Sequence, residues 1–187
     1  MIEFRAAKKQ ECRIIAELFS ISSGGVADYI WSKLAEEGEN ILDVGQRRYE
    51  EEDSVFSYKN CIVAEVDKRV VGMLVGFPMV SDGKVSDDPV LAPYSSLEVD
   101  NSFYICGVAI RQECRGKGIG TQLMKLAEQQ AKLRKFDTLS LIVFEENREA
   151  VAFYQKLGYR EVKRKKIIPH PLIHAEGDAV LMAKNIS

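Results

Sequence analysis

Apolar residues fall along this chain in two rhythms, and the places where the rhythm changes mark its elements. "IEFRAA" (2–7) alternates closely enough for a short strand. In "KKQECRIIAELFSIS" the residues Cys12, Ile15, Ala16, Leu18 and Phe19 recur on one side of a helix, and "SSGG" (22–25) breaks it. "VADYIWSKLAEEG" predicts a second helix ending at Gly38. "RRYEEED" (47–53) predicts a charge-rich, solvated helix. "NCIVAEVD" (60–67) and "RVVGMLVGFPMV" (69–80) form two strands around Asp67-Lys68, a hairpin. Polar residues, Gly and two Pro make Ser81 to Pro93 a loop. "SFYICGVAI" (102–110) is a buried strand, and 119–135 is a helix with Ile119, Leu123, Leu126, Ala127 and Leu133 at helical spacing. "TLSLIVF" (138–144) is apolar almost throughout, as a strand covered on both faces should be. "REAVAFYQKL" (148–157) is a helix with Asn147 as N-cap and Gly158 as C-cap. Residues 159–167 and 177–185 are a closing, hairpin-type strand pair.

This order of strands and helices predicts a mixed α/β (α+β) sheet with helices packed on it. The strand–helix–strand unit over 102–144 predicts two parallel strands within that sheet. At 187 residues the chain suits one domain, 1–187. A net charge of -2 gives no general case for binding nucleic acid or a membrane surface. The longest apolar run, "VVGMLVGFPMV" (70–80), is too short to span a bilayer, and "MIEFRAAKK" offers no signal region. The expectation is a cytoplasmic protein. Cys12, Cys61, Cys106 and Cys114 have no paired spacing and read as free thiols. With two His in the chain, no four-ligand metal site is expected.

Chemistry concentrates in "ECRGKGIGTQLM" (113–124), where Gly116, Gly118 and Gly120 occupy alternate positions between a buried strand and a long helix. A helix start presents orphan N–H groups and the positive end of its dipole, and glycines let an anion reach them. Arg115 and Lys117 add charge beside that turn, so the expected ligand is a phosphate or pyrophosphate. A Walker A loop does not fit, because Gly118 follows Lys117 where a hydroxyl is needed. A dinucleotide fingerprint fits poorly, because Thr121 stands where its third glycine belongs; Glu145 at the end of the next strand leaves that reading open.

The remaining pattern, Arg115 to Gly120 as R-x-x-G-x-G, resembles the acetyl-CoA pyrophosphate loop of the GNAT superfamily of N-acetyltransferases. "GVAI" before it resembles the family's central strand. "ENREAVAFYQKLGYREV" (146–162) resembles its second coenzyme-contacting segment, with Tyr159 in place of the common Phe. The specific match covers roughly 102–162. It implies a mostly antiparallel sheet of about six to seven strands, flanked by helices, with a parallel, splayed strand pair in the middle.

Residue by residue, the resemblance assigns the backbone of Val108, Ala109 and Ile110 to the pantetheine arm. It assigns Arg115, Gly116, Lys117, Gly118, Ile119, Gly120 and Thr121 to the pyrophosphate, and Asn147 to the arm alongside its capping role. Tyr154 becomes the general acid toward the departing thiolate, since phenol and thiol titrate in a similar range near ~10. An N–H near Val108 would hold the oxyanion. Many family members carry a carboxylate base on the central strand; here its middle holds Tyr104 and Cys106. Glu98 is therefore the candidate base, acting through water. In the family the last loop overhangs the acceptor site, which brings His170 or His174 there as a contact or base.

The implied activity is acetyl transfer from acetyl-CoA, as co-substrate, to a primary amine of a small molecule or protein, by direct attack in a ternary complex. Dimers are common in the family. Two alternatives stay open: a non-catalytic acyl-CoA-binding regulatory module that lost its base, and a dinucleotide-binding protein.

Overall fold

In the computed structural model, which describes residues 1–187, the chain divides into two compact units. The first comprises Met1–Gly76 and Gly107–Leu126, the second Phe77–Cys106 and Ala127–Ser187. The sequence order of elements is β1 (Ile2–Ala6), α1 (Cys12–Ser22), α2 (Val26–Leu34), α3 (Ile41–Glu50), β2 (Cys61–Val66), β3 (Arg69–Met79), α4 (Ala92–Ser95), β4 (Ser102–Ile110), α5 (Ile119–Leu133), β5 (Thr138–Phe144), α6 (Arg148–Lys156), β6 (Arg160–Lys166) and β7 (Asp178–Asn185). The seven strands are ordered β1-β2-β3-β4-β5-β7-β6, with β4 and β5 parallel and the sheet otherwise mostly antiparallel. This is the mixed sheet expected from the sequence.

In the first unit, β2 and β3 meet at Asp67 and Lys68, both left-handed at φ 49° and 62°. That backbone matches the twist of a two-residue hairpin. The side chains of Ile15, Val44, Tyr49, Met73 and Leu74 fill the core of this unit. Two expectations are corrected here. The second helix stops at Leu34 instead of Gly38, because Ala35 turns extended and a local turn takes over. In that turn Glu39 N–H bonds the Glu36 carbonyl, and Gly38 is left-handed at φ 78°. The third helix starts at Ile41, six residues before the charged run, because the Asn40 side chain accepts the Leu42 N–H at 2.9 Å and caps it. Nor is that helix merely solvated: Val44 and Tyr49 are buried.

Gly45 in α3 explains how the helices approach so closely. A Cβ there would lie 2.7 Å from the indole of Trp31, itself only 2% exposed. Helix propensity favours Ala over Gly by up to about 1 kcal/mol. Overpacking a buried ring costs about 1–3 kcal/mol, so the clash wins. Gly45→Ala is expected to lower the melting temperature by about 2–8 °C. A variant melting at or above the wild-type temperature would show that the indole moves aside freely.

In the second unit the parallel ladder pairs Phe103, Tyr104 and Ile105 with Leu139, Ser140 and Leu141. Phe103, Leu139, Leu141 and Met182 are its buried centre, and the hydroxyls of Ser102 and Ser140 meet at 2.7 Å within it. The expected loop over 81–93 gives way to α4, which starts one residue before its end and has Pro93 in its first turn. Strand β6 lies at the sheet edge with every side chain exposed. Its Lys and Arg residues blunt that edge against pairing with another chain.

Candidate active site

In the first unit, β4 delivers the chain into the glycine turn. Arg111 N–H donates to the Val71 carbonyl at 2.8 Å, and the Arg111 guanidinium to the Val70 carbonyl at 3.2 Å, so the strand end is fixed before the turn begins. Val108 and Ile110 are half-buried and Ala109 is buried. A short 3-10 turn (Gln112–Cys114) leads to Arg115, whose Nε donates back to the Ile110 carbonyl at 3.3 Å.

Gly116 and Gly118 are both left-handed, at φ 74° and 77°, and no atom lies within 4 Å of where their Cβ would stand. Backbone conformation therefore requires these glycines, while packing does not. Both residues are exposed. Gly120 differs: it is buried in the first turn of α5. The sequence reading grouped it with the other two, and the structure separates it.

Helix α5 begins at Ile119, and Gln122 N–H closes its first bond on the Gly118 carbonyl at 3.1 Å. The N–H groups of Ile119, Gly120 and Thr121 come before that bond and have no acceptor within the helix. A helix of 15 residues adds its positive dipole end to them. Arg115 and Lys117 lie exposed beside the turn. The arrangement suits a multiply charged phosphate group and fits the pyrophosphate of a coenzyme.

The second unit holds the acid and base candidates, Tyr154 and Glu98. Asn147 caps α6: its side chain accepts the Ala150 N–H at 3.2 Å. Two turns on, Tyr154 packs its ring 5.3 Å from Phe153 and 5.9 Å, edge-on, from Tyr159. Burial pushes the Tyr154 phenol up to about 12. It stays protonated across the working range but is a weaker acid than the ordinary phenol expected from the sequence. Glu98 follows α4, and its N–H bonds the Ser95 carbonyl at 3.3 Å. The Glu98 side chain is exposed overall, yet partial desolvation of its carboxyl, with Asp82 nearby, raises it above the usual carboxylate range.

Tyr104 connects these groups and received no role from the sequence. It stacks edge-on against Phe77 at 5.7 Å. Its phenol is driven far up by desolvation first, then by the charges of Cys106, Glu98 and Tyr154. Glu98 and Tyr154 thus both act electrostatically on one phenol, that of half-buried Tyr104. The alternation of Tyr104 and Cys106 between the buried Phe103 and Ile105 was the available signal: two polarisable side chains share the opposite strand face.

His170 and His174 lie between β6 and β7. They line a half-open recess of about 620 Å³ formed by residues 166–177, and neither Tyr154 nor Glu98 lines it. His170 accepts the Leu172 N–H on Nδ1 at 3.2 Å, while His174 is exposed. The base of this loop is clamped by Arg164, which bonds Glu161 through two nitrogens and Glu145 through a third, each at 2.8 Å. No helix is long and apolar enough to cross a membrane.

Compared with known proteins, residues 28–159 match the sequence model of the Acetyltransferase (GNAT) family. An uncharacterized N-acetyltransferase of Methanocaldococcus jannaschii is 34% identical over 129 residues, 68% of this chain and 67% of its own length. Among solved structures, an acetyltransferase superposes with a TM-score of 0.70 at 22% identity, covering 99% of this chain and all of its own. A PaiA N-acetyltransferase of Thermoplasma acidophilum, in complex with coenzyme A, gives a TM-score of 0.60 at 16% identity over all of this chain and 99% of its own. At these identities the two structures speak to the fold.

Proposed function

We propose, because the chain belongs to the acetyltransferase (GNAT) family, that it moves an acetyl group from acetyl-CoA to a primary amine by direct attack in a ternary complex. One observation carries the reading: left-handed Gly116 and Gly118 lead into the open N-terminus of a 15-residue helix. Backbone N–H groups from Arg115 to Thr121 would hold the pyrophosphate, with Lys117 adding charge. The backbone of Val108, Ala109 and Ile110 would pair with the pantetheine arm, and Asn147 would reach the same arm. The thioester supplies the acetyl group.

Within the chain, each titratable residue then has a task. Glu98, directly or through water, takes the proton an ammonium must lose before it attacks. Its raised carboxyl makes it a better base than an ordinary surface glutamate. The Val108 N–H stabilises negative charge on the carbonyl oxygen. As the new C–N bond forms and the C–S bond breaks, Tyr154 gives its proton to the leaving sulfur. Developing thiolate charge is a far stronger base than water, and this offsets the weak acidity of the buried phenol.

The alternative, an acyl-CoA-binding module without turnover, draws on the absence of Asp or Glu from the middle of β4. Hydrolysis-corrected acetyl transfer to a panel of small amines, amino acids, and peptides with free N-termini or lysines separates the two. Turnover above the rate of acetyl-CoA hydrolysis is expected with at least one class. Tight acetyl-CoA binding with no acetylated product from any class would favour the module.

A further inference from the structure

Glycine inside a strand weakens it, yet Gly107 interrupts the apolar run of β4. A Cβ built at Gly107 would lie 2.7 Å from Cε2 and 2.9 Å from Cδ2 of Phe19. Strand and ring therefore approach as closely as a glycine permits. Two other rings pack against it. Its centroid is 6.0 Å from Tyr49, edge-on, and 6.2 Å from Trp31, and Trp31 rests in turn on Gly45. Tyr49 and Trp31 are buried, whereas Phe19 keeps partial exposure. A ring that served only the core would be covered like its two neighbours. This one presents a braced apolar surface beside the residue preceding Val108, whose N–H is assigned above to the thioester oxygen.

We propose that Phe19 sets the upper limit on acyl chain length. Its ring is the wall on which the acyl group ends, so a two-carbon chain fits and chains of four or more carbons do not. Trp31 and Tyr49 keep the wall from yielding. The proposal rests on the assignment of β4 to the coenzyme arm.

Binding tests it without an acceptor amine. Calorimetric affinities would be measured for CoA and its S-ethyl, S-butyl and S-hexyl thioethers, which cannot turn over. The wild-type protein is expected to bind CoA and the S-ethyl thioether alike, and the S-hexyl thioether at least about tenfold more weakly, as methylene discrimination in apolar pockets allows. Phe19→Ala should recover that loss while its CoA affinity stays within about threefold of wild type. If Phe19→Ala does not fold, Phe19→Leu should still relieve the S-butyl thioether. A flat wild-type profile, or a folded variant whose profile parallels wild type, overturns the proposal. Failure of CoA itself to bind the wild-type protein overturns the coenzyme assignment, and the proposal with it.

Discussion

Tyr154→Phe should lower kcat by about 10²–10⁴-fold, the usual contribution of a positioned proton donor, while leaving CoA affinity nearly unchanged. The substitution removes one oxygen from a ring held by Phe153 and Tyr159, so packing survives and the lost proton is isolated. The pH profile adds a second readout. With the phenol pushed up to about 12 by burial, protonated Tyr154 persists throughout the accessible alkaline range, and its loss contributes no basic limb there. The acid limb belongs to the base. Glu98 must be ionised to accept a proton, and its carboxyl is raised by desolvation and Asp82. kcat/KM should therefore rise with pH through a midpoint above that of an ordinary carboxylate, and Glu98→Gln should abolish the limb. A Tyr154→Phe enzyme within threefold of wild-type kcat would remove Tyr154 from the chemistry.

Gly118→Val should remove most coenzyme binding. Wild-type protein at a hundred times the dissociation constant should gain about 2.7 kcal/mol from CoA, read as a melting shift of roughly 5–10 °C. Valine at φ 77° pairs a β-branched side chain with the left-handed region, where it is a conformational outlier. The loop must rearrange, and its N–H groups lose their common direction. Each charge-assisted hydrogen bond lost costs about 1.5–3 kcal/mol, so one or two suffice for at least a tenfold drop in affinity. Arg115→Ala should do less, because an exposed side chain acts through water and contributes about 1 kcal/mol or less. An undiminished CoA shift in a folded Gly118→Val protein would mean the phosphate lies elsewhere.

Legibility tracks the range of the interactions involved. The Asp67-Lys68 hairpin and the Asn147 cap were readable because neighbours in sequence decide them, and both appear where expected. The start of α3 was missed because "ILDVGQ" mixes polar and apolar residues around Gly45. Only Trp31, fourteen residues earlier in the sequence, makes a glycine fit there. Gly120 was misgrouped because a repeat of glycines looks alike in sequence, whereas φ divides it into two turn positions and one helical position.

By itself the sequence determined the succession of strands and helices, the glycine turn before the long helix, and the family. Each is written in local periodicity, backbone preference or motif spacing. Only the tertiary structure decided which side chains share a neighbourhood. It set Tyr104 within reach of the charges of Glu98 and Tyr154, drove the Tyr154 phenol upward, and laid the Phe19 ring on Gly107. Desolvation and close packing depend on residues distant along the chain, and no window of sequence contains them.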